Sequence, residues 1–142
     1  MSETTEKLEA PVMPEWPPHL PECCPPDDAH AAAGELWYFV FHAQPLADDF
    51  LSATQRDVFP NAHPCERAGL SCYRTKQELL ALASATAQLK KRFASANTAC
   101  ATLQPDHGAV KPTPRPGNPG HHTLWLRAVA LNAATELFRV AS

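Results

Sequence analysis

Proline restricts the folding of this chain more than any other residue, because its ring fixes one backbone dihedral and removes the amide donor. The chain has 142 residues and 15 prolines, and many of these prolines fall in the first 26 residues among acidic side chains. Each proline also biases the residue before it towards extended backbone. We therefore predict an extended or disordered proline-rich arm over residues 1–28 and a single compact domain over residues 29–142. Trp16 is the side chain that would attach part of this arm to the domain.

Net charge and apolar content bear on nucleic-acid binding, membrane insertion and cellular location. The net charge of −3 argues against a protein that coats nucleic acid through bulk electrostatics, although a local basic site stays open. The acidic start, MSETTEKLEA, has no apolar signal region, and no run approaches 18 apolar residues, so we expect a cytoplasmic protein without a membrane span. The five cysteines are then expected as reduced thiols, with no structural disulfide.

Periodicity and capping signals predict an α+β fold. The run Glu35–His42 is dense in aromatic and β-branched residues, which is typical of a central strand. Thr75 and Glu78 have the spacing of a capping box, and the apolar residues behind them recur at steps of three and four, which predicts a helix over 76–95. Further strands are expected at 70–74, 108–111 and 122–127, the last two as a hairpin. The predicted architecture is a small antiparallel sheet covered by one long amphipathic helix.

The cysteines, histidines and adjacent acids offer three weaker candidate sites. Zinc usually takes ligands from tight pairs such as C-x-x-C, whereas Cys65 and Cys72 are seven positions apart and Cys23 and Cys24 are adjacent. We therefore expect unligated thiols and histidines, no metal and no cofactor. None of the cysteines has a local nucleophile signature around it. The pair Asp48–Asp49 is expected to cap a turn or face solvent, and only secondarily to act as an acid/base pair.

The strongest candidate site is the hairpin region from Gly108 to Leu126. Histidine titrates near neutrality, cationic side chains stabilise negative charge on a phosphate, and threonine hydroxyls can orient either group. The region supplies all three types without a metal ligand set. The candidate catalytic residues are His121, His122 and Thr123, and the candidate substrate-binding residues are Lys111, Thr113 and Arg115.

Strand alternation divides this set between two faces. Successive side chains of a strand point to opposite sides, so only one of His121 and His122 belongs to a given face. His122 shares a face with the core-forming residues Leu124 and Leu126. The expected exposed set is therefore His121 with Thr123, although Trp125 follows on the same face.

Several fragments resemble, in order, a group of short bacterial proteins with no assigned function: PPDDAH, DDFLS, C-x-x-x-GLS, G-x-x-K-x-TP and HHT-x-W. The resemblance covers roughly Pro25 to Val140 and implies a compact domain. That group has a second cysteine where this chain has Ala68, and a histidine where it has Pro112. The layout is also loosely similar to that of ADP-ribosyltransferases, with Tyr38, His42 and Ser71 as the analogous residues and Glu136 as a late glutamate. The segment His121-His122-Thr123 resembles the H-x-T element of two-histidine phosphoesterases, which need a second such element.

Two hypotheses of function follow from these patterns. The first is a non-catalytic module that binds a protein partner through its loops and proline-rich arm. The alternative is a metal-independent domain that binds or cleaves a phosphodiester or nucleotide, such as RNA or an NAD-like ligand, at the Lys111–Thr123 hairpin. The sequence slightly favours the first, because most small surfaces that carry histidine are not active sites.

Overall fold

Two small antiparallel sheets and a set of short helices form the part of the chain that the structure, a computed structural model, describes: residues 15–141. The first 14 positions of the predicted arm lie outside it. The strands within 15–141 are β1 (His30–Ala31), β2 (Gly34–Val40), β3 (Leu70–Cys72), β4 (Asn97–Leu103), β5 (Gly108–Pro112), β6 (His122–Leu126) and β7 (Arg139–Val140). A 3₁₀ turn spans Ala47–Phe50, and the α-helices are α1 (Ala53–Arg56), α2 (Pro64–Arg67), α3 (Lys76–Ala83), α4 (Ala87–Arg92), α5 (Ala128–Asn132) and α6 (Ala134–Leu137).

The first sheet has the order β1-β5-β6-β3 and contains the predicted hairpin. Strands β5 and β6 pair with Lys111 opposite Thr123, and β3 pairs on the other side with Ser71 opposite Thr123. One face of this sheet is apolar, with Val110, Leu124 and Cys72 all buried in the larger hydrophobic core. The opposite face carries His121 and Thr123, so the predicted alternation along β6 is confirmed.

The second sheet has the order β2-β4-β7, so the predicted single sheet is wrong. Strand β2 pairs with β4 along its whole length, from Gly34 opposite Leu103 to Val40 opposite Asn97. It is an edge strand of this sheet, and not the central strand that its apolar run predicted. Strand β4 has the sequence NTACATL, in which alanine and threonine replace the large apolar residues that mark a buried strand.

The predicted long helix over 76–95 is also wrong, because the chain forms α3 and α4 with a break between them. The Ser84 hydroxyl donates to the carbonyl oxygen of Leu80 at 3.1 Å, and the Thr86 side chain accepts from the Leu89 amide at 3.0 Å as the cap of α4. Serine and threonine side chains compete with helical backbone bonds and favour helix ends. None of the helices described in 15–141 has the length and apolar content needed to cross a bilayer.

Residues 15–28 of the proline-rich segment lie against the domain. The Trp16 ring lies under the Arg127 guanidinium at 4.1 Å, and the carbonyl oxygen of Glu15 accepts from the Ala128 amide at 2.8 Å. Further along, a ring nitrogen of His19 is 3.1 Å from the carbonyl oxygen of Ala68. These contacts place the segment beside α2 and the end of β6.

A disulfide joins Cys24 of this segment to Cys65 in α2. The expectation that all cysteines are reduced is therefore wrong for this pair. Cysteine count and spacing could not reveal the pairing, because the two residues are 41 positions apart and meet only after the segment lies against α2. Cys23, Cys72 and Cys100 are free.

Candidate functional site

An open cleft of about 830 Å³ lies on the surface of the described chain. Its walls come from the end of β2, the long connection between β2 and β3, strand β3, helices α3 and α4, and the turn between β5 and β6. This volume falls within the usual range for pockets that bind small molecules. Of the predicted site residues, His121 and Arg115 line the cleft, and Ser71 joins them from β3.

The imidazole of His121 is bonded to protein groups through both ring nitrogens. Its Nδ1 lies 3.0 Å from the carbonyl oxygen of Thr113 and 2.8 Å from the Thr113 Oγ1. Its Nε2 lies 2.8 Å from the Oγ of Ser71. A carbonyl oxygen only accepts, so Nδ1 carries the proton and Nε2 is free to accept the Ser71 hydroxyl proton. This is the tautomer that a general base requires.

The environment of His121 also favours its neutral form. Burial lowers the pKa of His121 below the ordinary 6.5, and the positive charge of Arg115 lowers it further. The bond to Thr113 and the carboxylate of Glu66 act in the opposite direction but are smaller than the burial effect. A histidine with a lowered pKa is unprotonated at neutral pH and can take up a proton.

Exposure differs sharply between the two members of the Ser71–His121 pair. His121 is only 5% exposed, whereas Ser71 is an exposed residue on the cleft wall. The expectation that His121 and Thr123 are exposed is therefore wrong, since Thr123 is 1% exposed as well. A ligand in the cleft meets the Ser71 hydroxyl before it meets the imidazole.

Strand pairing brings Ser71 and His121 together across fifty positions of sequence. Ser71 lies opposite Thr123 in the β3–β6 ladder, and His121 precedes Thr123 by two residues on the same face. Gly69 permits the close approach of β3, because a Cβ there would lie 2.5 Å from the Cγ2 of Thr123. The amide of Thr113 donates to the His121 carbonyl at 2.9 Å and extends the hairpin to the site.

The aromatic ring of Tyr73 also contacts His121. Its ring meets that of His121 edge to face, with centroids 5.9 Å apart, and its hydroxyl donates to the Oδ1 of Asn118 at 3.0 Å. Burial raises the pKa of Tyr73 to about 12, so the phenol stays protonated. Tyr73 therefore fixes the orientation of the imidazole and of the turn at Asn118.

Arg115 is held at the cleft by an ion pair. One guanidinium nitrogen lies 2.9 Å from the Oε1 of Glu66 in α2, and both side chains are partly exposed. An exposed pair of this kind adds little to stability. Its consequence here is positional, because it keeps a cation on the same wall as His121.

The charged residues of the cleft are mostly arginines. The four arginines that line it are Arg56, Arg67, Arg92 and Arg115, against the two carboxylates of Asp49 and Glu66. Asp49 is buried, and its carboxylate oxygens accept from the amides of Phe41 at 2.8 Å and Leu46 at 3.0 Å. Arg115 pairs with Glu66 and Arg67 pairs with Asp57 at 3.5 Å, and the arginines of the cleft still outnumber these carboxylates, which favours an anionic ligand.

Aromatic rings cover much of the remaining surface of the cleft. The aromatic residues that line it are Tyr38, Phe39, Phe41, Phe59, Tyr73 and Phe93, although the ring of Tyr38 packs against Phe50 and Phe138 in the core. Phe59 is 56% exposed and Phe41 is 46% exposed, so both present apolar surface at the cleft. Rings of this kind stack against flat ligand groups, and guanidinium groups bind phosphate or carboxylate.

The other residues predicted for the site lie elsewhere or have other contacts. Lys111 forms an ion pair with Asp28 at 3.0 Å, and the Nδ1 of His122 lies 2.8 Å from the carbonyl oxygen of Gly120. Neither residue is among the described residues that line the cleft. Thr113 and Thr123 are buried and bonded to each other through their hydroxyls at 2.8 Å. These two residues support the imidazole from behind.

One group of described residues has metal-ligand chemistry. The ligand atoms of His42, Asp48 and Asp49 lie within 4.8 Å of one another. The two oxygens of Asp49 are already occupied by backbone amides, and His42 pairs with Asp48 at 3.0 Å on the surface. This arrangement favours the predicted capping role of Asp49.

The thiols offer less chemistry than the Ser71–His121 pair. Cys65 belongs to the disulfide with Cys24 and cannot act as a ligand or nucleophile. Burial raises the pKa of Cys72 to about 12 and that of Cys100 to about 11. Both are protonated at neutral pH, and a thiol must lose its proton to react.

Comparison with known proteins identifies no relative of this chain. No protein-family model, no curated protein and no solved structure matches the chain. The site therefore rests on its own geometry. The sequence named Ser71 only through the layout similarity and did not predict its contact with His121, although its position in LSC, between two apolar residues, indicates a side chain on the opposite face of the strand.

Proposed function

We propose that this cleft binds and turns over a small ligand of the nucleotide class, with a phosphate or phosphodiester group and a flat ring. The observation that carries the proposal is the position of a neutral, buried His121 on the wall of a cleft lined by four arginines and by aromatic residues that include the exposed Phe41 and Phe59. Acid/base chemistry, anion binding and ring stacking are the three functions that such a ligand requires.

The division of labour within the cleft follows from the contacts. Arg115, fixed by Glu66 at 2.9 Å, binds the phosphate near His121. The exposed rings of Phe41 and Phe59 supply surfaces for the base. His121 accepts and returns a proton through Nε2, and Thr113 holds Nδ1. No metal is needed for these steps, because the guanidinium groups offset the charge of the phosphate.

Two further expectations from the sequence remain open. A protein-interaction role stays a prediction, and the pairing of His121 with Ser71 in a cleft moves our preference to the ligand-binding alternative. The cytoplasmic location also stays a prediction. The Cys24–Cys65 disulfide favours an oxidising compartment instead, because structural disulfides persist where thiols are not continually reduced.

The test of binding is a calorimetric titration with adenosine 5′-monophosphate, adenosine and inorganic phosphate. We expect the monophosphate to bind more tightly than either fragment, because it occupies both the guanidinium and the aromatic surfaces. Arg115→Ala should weaken this binding about tenfold, whereas Lys111→Ala, which removes a cation outside the cleft, should leave it unchanged.

The test of turnover uses the p-nitrophenyl ester of thymidine 5′-monophosphate, whose cleavage releases a coloured phenol. We expect cleavage by the wild-type protein without added metal and in the presence of a chelator. Equal binding of all three titration ligands, or no binding with no cleavage, would contradict the proposed function.

A further inference from the structure

The position of Ser71 between His121 and the cleft suggests a role beyond hydrogen bonding. Both nitrogens of the imidazole are occupied, Nδ1 by Thr113 and Nε2 by the Ser71 hydroxyl at 2.8 Å. His121 itself is 5% exposed. The hydroxyl of Ser71 therefore stands between the basic nitrogen and any ligand in the cleft.

We propose that Ser71 is the nucleophile of this site and forms a covalent phosphodiester bond with the phosphorus of the substrate. The proposal rests on the proposed function, since it takes a phosphodiester as the substrate class. A serine within hydrogen-bond reach of a histidine, which is itself oriented by a third group, is the arrangement that activates a hydroxyl for attack. Here the third group is Thr113, through its carbonyl oxygen and its hydroxyl.

In the first step, the Oγ of Ser71 attacks phosphorus while its proton passes to the Nε2 of His121. The bond between phosphorus and the leaving oxygen breaks on the side opposite Oγ, and that oxygen takes a proton from solvent as it departs, while Nε2 keeps the proton of Ser71. The product is an alcohol or phenol, and the rest of the substrate stays on Ser71 as a phosphodiester. Arg115, on the same wall, bears the charge of the two non-bridging oxygens throughout.

In the second step, water attacks the same phosphorus from the side opposite Oγ and releases a proton to solvent. The bond from phosphorus to the Oγ of Ser71 breaks, and the serine recovers its proton from the imidazole. The substrate leaves as a phosphomonoester, and no oxidant, metal or further reactant takes part. His121 therefore takes the proton of Ser71 in the first step, returns it in the second, and is neutral again at the end of the cycle.

The geometry disfavours the simpler mechanism in which His121 activates water directly. That mechanism needs a water molecule at Nε2, and the Ser71 oxygen already occupies that position at 2.8 Å. Ser71 is also fixed by its strand, with neighbours Leu70 and Cys72 buried on the other face. The ladder therefore holds its backbone in place, and the Oγ moves only by rotation about the Cα–Cβ bond.

The experiment traps the covalent state on the whole chain. The wild-type protein is incubated with diisopropyl fluorophosphate, an electrophile for activated hydroxyls, and the intact mass and the modified peptide are read by mass spectrometry. We expect one adduct per chain, located on Ser71. Ser71→Ala should abolish the adduct, His121→Gln should slow its formation at least a hundredfold, and Ser84→Ala, an exposed serine at the end of α3, should leave it unchanged.

A parallel measurement separates this inference from the proposed function. Acid quenching during cleavage of the thymidine ester should yield a thymidylyl adduct on Ser71, and Ser71→Ala should keep binding of adenosine 5′-monophosphate within threefold of wild type while losing turnover. Turnover that survives in Ser71→Ala, or proceeds without any adduct, would overturn the nucleophile and leave the proposed function in place. A fluorophosphate adduct on Ser71 without nucleotide binding or turnover would support the nucleophile and overturn the nucleotide ligand.

Discussion

The two faces of the β5–β6 hairpin carry similar polar residues in opposite surroundings. On one face, His121 is buried, bonded through both nitrogens and linked to Ser71 at 2.8 Å. On the other face, the adjacent His122 is half-buried and bonds the carbonyl oxygen of Gly120 two positions before it. The difference arises from what covers each face: the cleft and α2 lie beside the first, and the apolar core adjoins the second.

This comparison shows why neighbouring histidines have separate chemical roles. The alternation of a strand sends them in opposite directions, and only one direction leads to partners from distant parts of the sequence. Ser71 comes from β3, while Glu66 comes from α2 and holds Arg115. Matched substitutions of His121 and His122 therefore test which face carries the catalytic histidine.

The largest effect should come from replacing each histidine by glutamine. His121→Gln removes the basic nitrogen bonded to Ser71, so turnover of the thymidine ester should fall about 10²–10⁴-fold. His122→Gln should leave turnover within about threefold, because its contact is local. Steady-state kinetics on both variants checks this, and a larger loss in His122→Gln than in His121→Gln would reverse the assignment of the two faces.

The second-largest effect should come from removing the disulfide beside the His121 face. The disulfide ties residues 15–28 to α2, where the carbonyl oxygen of Cys65 also accepts from the Trp125 indole at 2.8 Å. A cross-link over 41 positions restricts the unfolded chain, so Cys24→Ser should lower the free energy of unfolding by about 2–4 kcal/mol.

Guanidinium denaturation measures this change in unfolding free energy. Cys23→Ser is the matched control, because Cys23 is the adjacent, exposed and free thiol, and it should change stability by less than about 0.5 kcal/mol. Equal stability of the Cys24→Ser variant and the wild type would show that the cross-link does not stabilise the folded chain in solution.

Much of the hairpin could be predicted from the sequence, and its surroundings could not. Strands β5 and β6 and the alternation of their side chains follow from local pattern, as does the capping of α3 by Thr75. The cleft depends on pairings that local pattern does not encode: Ser71 opposite Thr123, and Cys24 with Cys65. The exposure predicted for His121 was wrong for the same reason.

The second sheet and the helix break show the same limit in the fold. Strand β4 buries alanines such as Ala99 and Ala101 against β2, and alanine favours helices and is depleted in strands. Ser84 and Thr86 lie within a run whose apolar spacing predicts one helix, and their side-chain bonds to the backbone end α3 and begin α4 instead. Local side-chain hydrogen bonds, and not the spacing of apolar residues, therefore set the helix boundaries here.

A smaller effect is expected from the support behind the imidazole. The Thr113 hydroxyl lies 2.8 Å from both the Nδ1 of His121 and the Oγ1 of Thr123, and all three side chains are buried. Thr113→Val keeps the shape and removes this hydroxyl, which should cost about 1–2 kcal/mol in the free energy of unfolding. Turnover should fall less than in His121→Gln, because the Thr113 carbonyl still accepts from Nδ1.

Thermal or denaturant unfolding and steady-state rates measure both consequences. Thr102→Val, at an exposed position of β4, is the matched control and should change neither quantity appreciably. A Thr113→Val variant as stable as wild type would contradict the role of this hydroxyl in the buried network.

The smallest expected effect is a shift in pH dependence. Burial and then Arg115 lower the pKa of His121 below 6.5, so the acid limb of kcat/KM should have its midpoint below pH 6.5. The contribution of His121 to the free energy of unfolding should change in the same pH range. It is fully present above pH 6.5 and is lost as the pH falls, because the unfolded chain binds the proton more readily than the folded chain. Arg115→Gln removes the lowering charge and should move the limb to higher pH by less than about one unit, whereas Lys111→Gln should leave it in place. A limb at or above pH 6.5 in the wild-type profile, or one that Arg115→Gln does not move, would contradict the electrostatic coupling between these two residues and would place the active histidine on the other face.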